Sequence, residues 1–451
     1  MRKRLWLGGA TLAAMLTALA PAGAAAQAPA LQITPLKPLP PAGRFDAAVF
    51  AGAARVQPKV VAWRRDIHQH PELGNREFRT ADLAAAHLRK LGFEVRTGVA
   101  KTGVVGVLKG GRPGGVVALR ADMDALPVAE QTGAPYASKA TAEYNGQTVP
   151  VMHACGHDAH VAILMGAAEV LAGMRDQIPG TVVVMFQPAE EGPPPGEDGG
   201  ASLMVREGAM QNPKPGAVFG LHVAPGPAGA LFWRPGPMMA ADDAFEIKLQ
   251  GRQTHGANPW SGIDIVSMAA EIVQAFNQIA ARQLKVTRSP TILTVASIHG
   301  GLRYNIIPED LTMVGTLRSF DPEVRKEAIA KAEKAVAGIA ERYGGGGKIV
   351  WGPATPVTLN DPDLTARMKP TLVRAARGLV KDDIDFITGA EDFSFYQQQA
   401  PGLFYDLGIG NPPGPNHSPM FNVMDESVLE VGVRAQALTA LDYLYSVAVA
   451  R

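Results

Sequence analysis

Apolar positions recur along this chain with two periods, and the period changes partway. Between Asp46 and His70, Val56, Val60, Trp63 and Ile67 keep the spacing of one helical face, and Pro71 interrupts the run. A second helical stretch carries Leu83, Leu88 and Leu91 and stops at Gly92. Short continuous apolar runs then alternate with helical patterns. Residues 116–119, 181–186 and 217–221 predict buried strands, and 158–174 predicts a helix between the first two. Strands separated by helices predict an α/β fold with a mostly parallel sheet flanked by helices.

Near Pro235 the pattern shifts. Residues 245–249 alternate as a half-exposed strand does, 264–281 and 322–343 read as helices, and 292–297, 311–317 and 348–351 as further strands. Two helices and about four strands make a compact α+β unit inserted in the chain. After Thr355 the larger pattern resumes and closes with a helix over 426–449. The expected division is therefore 46–238 and 355–451 as two parts of one domain, with 239–354 inserted between them. A length of 451 residues agrees with more than one core.

The first residues follow another logic. Arg2-Lys3-Arg4 precede an apolar run to Ala20, then small residues to Ala26, which reads as a secretory signal peptide over 1–26. The run is short of the ~20 residues a membrane span needs. A flexible Pro-rich segment over 27–45 follows. The expected location is periplasmic or secreted, with no stable membrane insertion after cleavage. Cleavage removes three basic residues and no acidic ones from 43 and 42, so the formal charge passes from +1 to −2. Nothing in that balance favours nucleic acid as a partner.

The chemistry concentrates in His153-Ala-Cys155-Gly-His157-Asp158-Ala-His160, which holds the only cysteine and three of the ten histidines. A lone cysteine is ordinarily a small buried hydrophobe. Beside two histidines, in an exported chain where a free thiol needs a use, it reads as a metal ligand. Asp122 and Asp124 follow the first predicted strand, Glu190 and Glu191 the second, and His222 ends the third. In open α/β sheets, ligands bind beyond the carboxyl ends of strands.

These residues resemble the secreted branch of the carboxypeptidase/aminoacylase dinuclear metallohydrolases, near the hippurate hydrolases and the auxin-conjugate (indoleacetyl-amino acid) amidohydrolases. The matching motifs are Arg64-Arg-Asp-Ile-His68-Gln-His70-Pro-Glu72, Arg120-Ala-Asp122-Met-Asp124, Met152-His153-Ala-Cys155-Gly-His157-Asp158, Gln187-Pro-Ala-Glu190-Glu191-Gly192, Gly389-Ala-Glu391-Asp392-Phe393 and Asn416-His417-Ser-Pro419. The resemblance implies a zinc-peptidase-like fold whose inserted unit is a lid or dimerisation domain. It implies two divalent ions, zinc or manganese, with cobalt or nickel also suited to mixed ligands. The implied ligands are Cys155 as bridge, Glu191 and His417 on one ion, and His157 and His222 on the other. Glu190 is then the general base, and Asp124 orients a ligand imidazole. His255 in the inserted unit helps hold the oxyanion, often in the partner subunit's site, and Asn305 and Arg318 contact a substrate carboxylate. His68, His70, His153, Asp158 and His160 fall near the site without an assigned role. Trp260, where the family usually has histidine, and the long loop over 193–198 depart from the pattern.

The expected activity is hydrolysis of the amide of small N-acyl amino acids, with a homodimer through the inserted unit. A dipeptidase or carboxypeptidase on the same site is the alternative; it requires a carboxylate for a free α-amino group, and no candidate stands out. A binding protein without turnover fits poorly beside an intact Glu190.

Overall fold

The computed structural model describes residues 33–449. The expected signal peptide and the first part of the Pro-rich segment lie outside them.

An eight-stranded sheet runs in the order Glu94–Val99, Gly103–Lys109, Pro179–Gln187, Arg112–Asp122, Ala217–Ala224, Gly402–Gly408, Leu231–Phe232, Val380–Lys381. Its four central strands, Pro179–Gln187 through Gly402–Gly408, are mutually parallel. The first two strands join antiparallel on one side and Leu231–Phe232 antiparallel on the other. Three of the central strands are buried along almost their whole length and Arg112–Asp122 over its second half, as parallel strands covered by helices must be. Helices Asp46–Gln69, His157–Ala172 and Val428–Val449 pack on one another, and the last also lies against Arg112–Asp122. His157–Ala172 is apolar and buried almost all round, which suits a helix pressed between other helices and the sheet.

Residues 241–355 build the second pattern. Four antiparallel strands run in the order Thr291–Gly300, Asp310–Ser319, Ala241–Gln250, Gly346–Thr355. Burial alternates along Ala241–Gln250, as its period of two requires. Its inward side chains Phe245, Ile247 and Leu249 join Met268, Ile272 and Phe276 of helix Ile265–Gln278 and Val336 of helix Pro322–Arg342 in a core of their own. Asp264 and Asp321 cap those two helices through their carboxylates, and Pro322 fills the first position of the second.

Two features differ from the pattern reading. Strand Glu94–Val99 and a small hairpin, Thr141–Tyr144 with Gln147–Pro150, carry no strong apolar signal because they are mostly exposed edge elements, whereas Gly103–Lys109 lies inside the sheet and is largely buried. The Ala217 strand also continues past His222 to Ala224, because Gly402–Gly408 pairs with it along its whole length. No helix among the described residues is long and apolar enough to cross a membrane.

Candidate metal and catalytic site

The central strands end on one rim, and local backbone geometry turns the functional side chains into it. Gly156 lies between Cys155 and His157 with φ +94° and precedes the helix His157–Ala172. A Cβ there would fall 2.3 Å from Val223 Cγ2, so only glycine allows the turn to close on that strand. Ala189, at φ +50°, turns Glu190 and Glu191 off the end of Pro179–Gln187, and its N–H donates to Glu77 Oε1 at 2.8 Å. Burial, with the Asp124 charge adding, pushes Glu77 up to about 8. His417 also has positive φ, at +69°; its N–H donates to the Ala154 carbonyl at 2.7 Å. The neighbouring Asn416 amide donates to the carbonyl of Cys155 at 3.1 Å.

Hydrogen bonds decide which imidazole nitrogens are free. His222 Nδ1 can only donate to the Val223 carbonyl, 2.8 Å away, which leaves Nε2 with its lone pair 3.4 Å from Cys155 Sγ. His157 Nδ1 lies 3.2 Å from Asp124 Oδ1, and its buried Nε2 has no hydrogen-bond partner. His160 is different. Its Nε2 accepts the Val223 N–H at 2.8 Å and its Nδ1 donates to Asp122 at 2.6 Å, so both nitrogens are used.

The potential donors therefore sort themselves. Cys155, His157 and His222 offer donor atoms within 4.8 Å of one another, and so do Cys155, Glu191 and His417. Cys155 belongs to both groups. His417 Nε2 and Glu191 Oε1 are 3.0 Å apart. Contact with Cys155 and Glu191 pushes His417 up to about 10. Burial disfavours charge on His157, but Asp122, Asp124 and Cys155 hold it well above its ordinary value. Crowded thiol, imidazole and carboxylate, with an orphaned imidazole nitrogen among them, is a donor set that fits two divalent cations sharing one sulfur. Asp122 and His160 also lie near His157, but each Asp122 oxygen already accepts a hydrogen bond, from Arg120 and from His160, and both His160 nitrogens are used.

Beneath this rim lies a fully buried guanidinium. Arg120 donates to Gln187 at 2.8 Å, Asp122 at 2.7 Å, Glu391 at 2.8 Å and Asp392 at 3.1 Å. Burial opposes ionisation of Asp122, yet Arg120 and the two histidines hold it well below the carboxylate range. Burial raises Asp392 to about 7 and raises Glu391, with Arg120 opposing in both. Arg120, Gln187, Glu391 and Asp392 sit inside recognisable motifs, but their partnership needed the fold. The motif Gly389-Ala-Glu391-Asp392 was the available signal.

A cavity of about 590 Å³ opens over the donors. Cys155, Glu190, Glu191, His222 and His417 line one side, and Asp242 and Arg318 from the four-stranded sheet line another. Arg318 lies 3.1 Å from Asp242 Oδ2, so it is both ion-paired and cavity-facing. His255 and Asn305 are absent from this lining. They sit together on the ribbon Thr254–His255 with Ile306–Ile307, where the Gly256 N–H donates to the Asn305 carbonyl at 2.9 Å, and His255 is exposed. Trp260 is also exposed. The loop over 193–198 is pinned by Glu197, which pairs with Arg76 and Lys101. Of the unassigned histidines, His68 bridges Asp158 at 2.9 Å and Glu130 at 3.1 Å beside the buried Arg64. His153 is buried with neither nitrogen bonded, and burial lowers it to about 3. His70 is exposed on the first helix's end.

A model of the family described as Peptidase family M20/M25/M40 matches residues 118–442. Thermostable carboxypeptidase 2 of Saccharolobus solfataricus is 40% identical over 391 residues, covering 85% of this chain and 95% of that protein. IAA-amino acid hydrolase ILR1-like 2 of Arabidopsis thaliana is 35% identical over 405 residues, covering 88% and 87%. Among solved structures, the Bacillus subtilis YXEP protein, titled a dinuclear metal binding peptidase from the M20 family, superposes with a TM-score of 0.73 at 32% identity, covering 87% and 99%.

Replacing Arg120 by Leu leaves Asp122, Glu391 and Asp392 buried without their cation. Urea denaturation should show a loss of about 3–5 kcal/mol, partly restored by adding Glu391→Gln. Gly156→Ala combines an unfavourable φ with the Val223 clash and should cost about 1–3 kcal/mol in the same experiment.

Proposed function

The chain belongs to peptidase family M20/M25/M40 and is a metal-dependent hydrolase of amide bonds, and from this we propose that it cleaves N-acyl amino acids to a carboxylic acid and a free amino acid. The observation that carries the reading is the cavity itself: Cys155, Glu191, His222 and His417 with Glu190 in its lining, the fully buried His157 beside Cys155 and His222, and the guanidinium of Arg318 facing the same space. Cys155 would be shared, with Glu191 and His417 holding one ion and His157 and His222 the other. Zinc or manganese suits the donors, and cobalt or nickel is accommodated. When bound, the ions supply a water acidified toward pKa ~7 and a Lewis acid for the carbonyl.

The chain's own residues do the rest. Burial pushes Glu190 well above the usual carboxylate range, with Glu391, Glu191 and Asp392 adding, so it accepts a proton readily. It takes the proton of the attacking water and returns it to the leaving amide nitrogen. Asp124 holds the His157 ring by its Nδ1 side and receives the Glu191 N–H at 2.9 Å, fixing two ligands at once. Arg318 turns from Asp242 to the substrate carboxylate, which its planar fork grips with two parallel bonds.

The reading extends to assembly and location. His255 and Asn305 reach a cavity other than their own in a homodimer joined through the inserted unit; the almost fully exposed Leu302 and Tyr304 beside Asn305 support this. The basic and apolar residues over 1–26 support export to the periplasm or medium. The carboxypeptidase name of the 40% identical relative keeps a peptidase with the same site as the second reading.

Metal-stripped protein reconstituted with Mn²⁺, Zn²⁺ or Co²⁺ should release amino acid from N-acyl amino acids. If dipeptides alone are cleaved, the second reading takes over. Glu190→Gln should lower kcat by about 10²–10⁴-fold while metal content, measured by elemental analysis, stays at the wild-type value. Arg318→Ala should raise KM by about 10–100-fold for substrates ending in a free carboxylate, and much less for the corresponding carboxamides.

A further inference from the structure

The mechanism above leaves one carboxyl in the cavity wall without a task. Asp406 lies in the strand Gly402–Gly408, whose residues are all buried and whose Phe404 and Leu407 are core side chains. Asp406 is only 4% exposed, and it forms part of the lining of the main cavity. Among the described residues it makes no ion pair or side-chain hydrogen bond; burial and the nearby Glu391 charge push it up to about 8.

Other roles are filled. Asp406 stands level with His222 on the adjacent strand, but His222 Nδ1 is already taken by the Val223 carbonyl, so Asp406 does not orient that ring. It belongs to neither donor group that contains Cys155. The other carboxyls of the wall, Glu190 apart, have cationic or imidazole partners: Asp242 has Arg318, Glu391 and Asp392 have Arg120, and Glu191 has His417. An unpaired carboxyl in an apolar strand is costly to bury. A leucine or phenylalanine would complete the strand more cheaply. What Asp406 adds is an acceptor facing the space where substrate lies.

We propose that Asp406 is a specificity-determining residue that pairs with a primary ammonium group of the substrate. The inference rests on the amide-hydrolase reading of the same cavity. Arg318 comes from the four-stranded sheet and Asp406 from the eight-stranded one, so a substrate carrying both a carboxylate and an ammonium is held from both sheets. The ammonium has two chemical sources. It is either the α-amino group of an aminoacyl half, which makes the substrate a dipeptide, or the side-chain amine of a basic leaving amino acid.

The test uses the metal-loaded enzyme and three substrates: alanyl-leucine, Nα-acetyl-lysine and N-acetyl-leucine. The readout is kcat/KM for each ammonium substrate divided by that for N-acetyl-leucine. In Asp406→Asn this ratio should fall about 10–100-fold, mainly through KM, for one ammonium substrate, and that substrate identifies the source. Asp406→Ser, smaller and also uncharged, reads the same ratio if a thermal melt shows the Asn variant unfolded. Ratios that stay within about twofold in the folded variant overturn the inference. Wild-type cleavage of N-acetyl-leucine with neither ammonium substrate turned over also overturns it, and leaves the amide-hydrolase reading standing. No turnover of any of the three removes both.

Discussion

The site hangs on one buried guanidinium. Arg120 gathers Asp122, Gln187, Glu391 and Asp392 from separate parts of the chain and neutralises acids that could not otherwise be buried together. Its influence continues upward through hydrogen bonds. Arg120 holds Asp122, Asp122 receives His160 Nδ1–H, His160 Nε2 receives the Val223 N–H, and the Val223 carbonyl receives His222 Nδ1–H. The lone pair of His222 is thus aimed at Cys155 by a relay that begins at the buried Arg120. Each link leaves the next with one orientation, which is how a wet-looking rim of thiol, imidazole and carboxylate becomes a defined donor set.

Rigid strands bring these groups near, and strained backbone completes the approach. Gly156, Ala189 and His417 all have positive φ, and each lies at or beside a donor. For Ala189 and His417 this conformation costs energy that the surrounding bonds must offset: the Ala189 N–H to Glu77, and the His417 N–H to the Ala154 carbonyl. The cavity above is acidic on the side of the eight-stranded sheet and carries its guanidinium on the side of the four-stranded one. Polarity of that kind orients a substrate with charged ends before any chemistry occurs.

Legibility differed by element. Helices with a clear apolar face, such as Asp46–Gln69 and Ile265–Gln278, and strands buried on both faces were readable because burial writes a period into the sequence. The edge strand Glu94–Val99 and the hairpin over 141–150 were not, since exposed strands carry no such period. Glu190, Glu191 and His222 stood out as polar residues at strand ends, and Cys155 and His157 as unusual residue types clustered where a helix begins. Arg120 was visible as part of a motif but not as the hub of four partners. Asp406 left a faint trace, a single acid in an apolar run, whose meaning depended on what faces it.

By itself the sequence determined the alternation of strands and helices, the inserted α+β pattern and the types of donor available, because periodicity and residue chemistry are local properties. Only the tertiary structure decided which nitrogen of each histidine is free, which carboxyls are matched by cations, and that His255 and Asn305 lie outside their own chain's cavity while Asp406 lies in it. Those outcomes depend on hydrogen bonds and charge pairs between residues far apart in the chain. No local pattern encodes them, because each is fixed by what the fold places on the other side of a few ångströms.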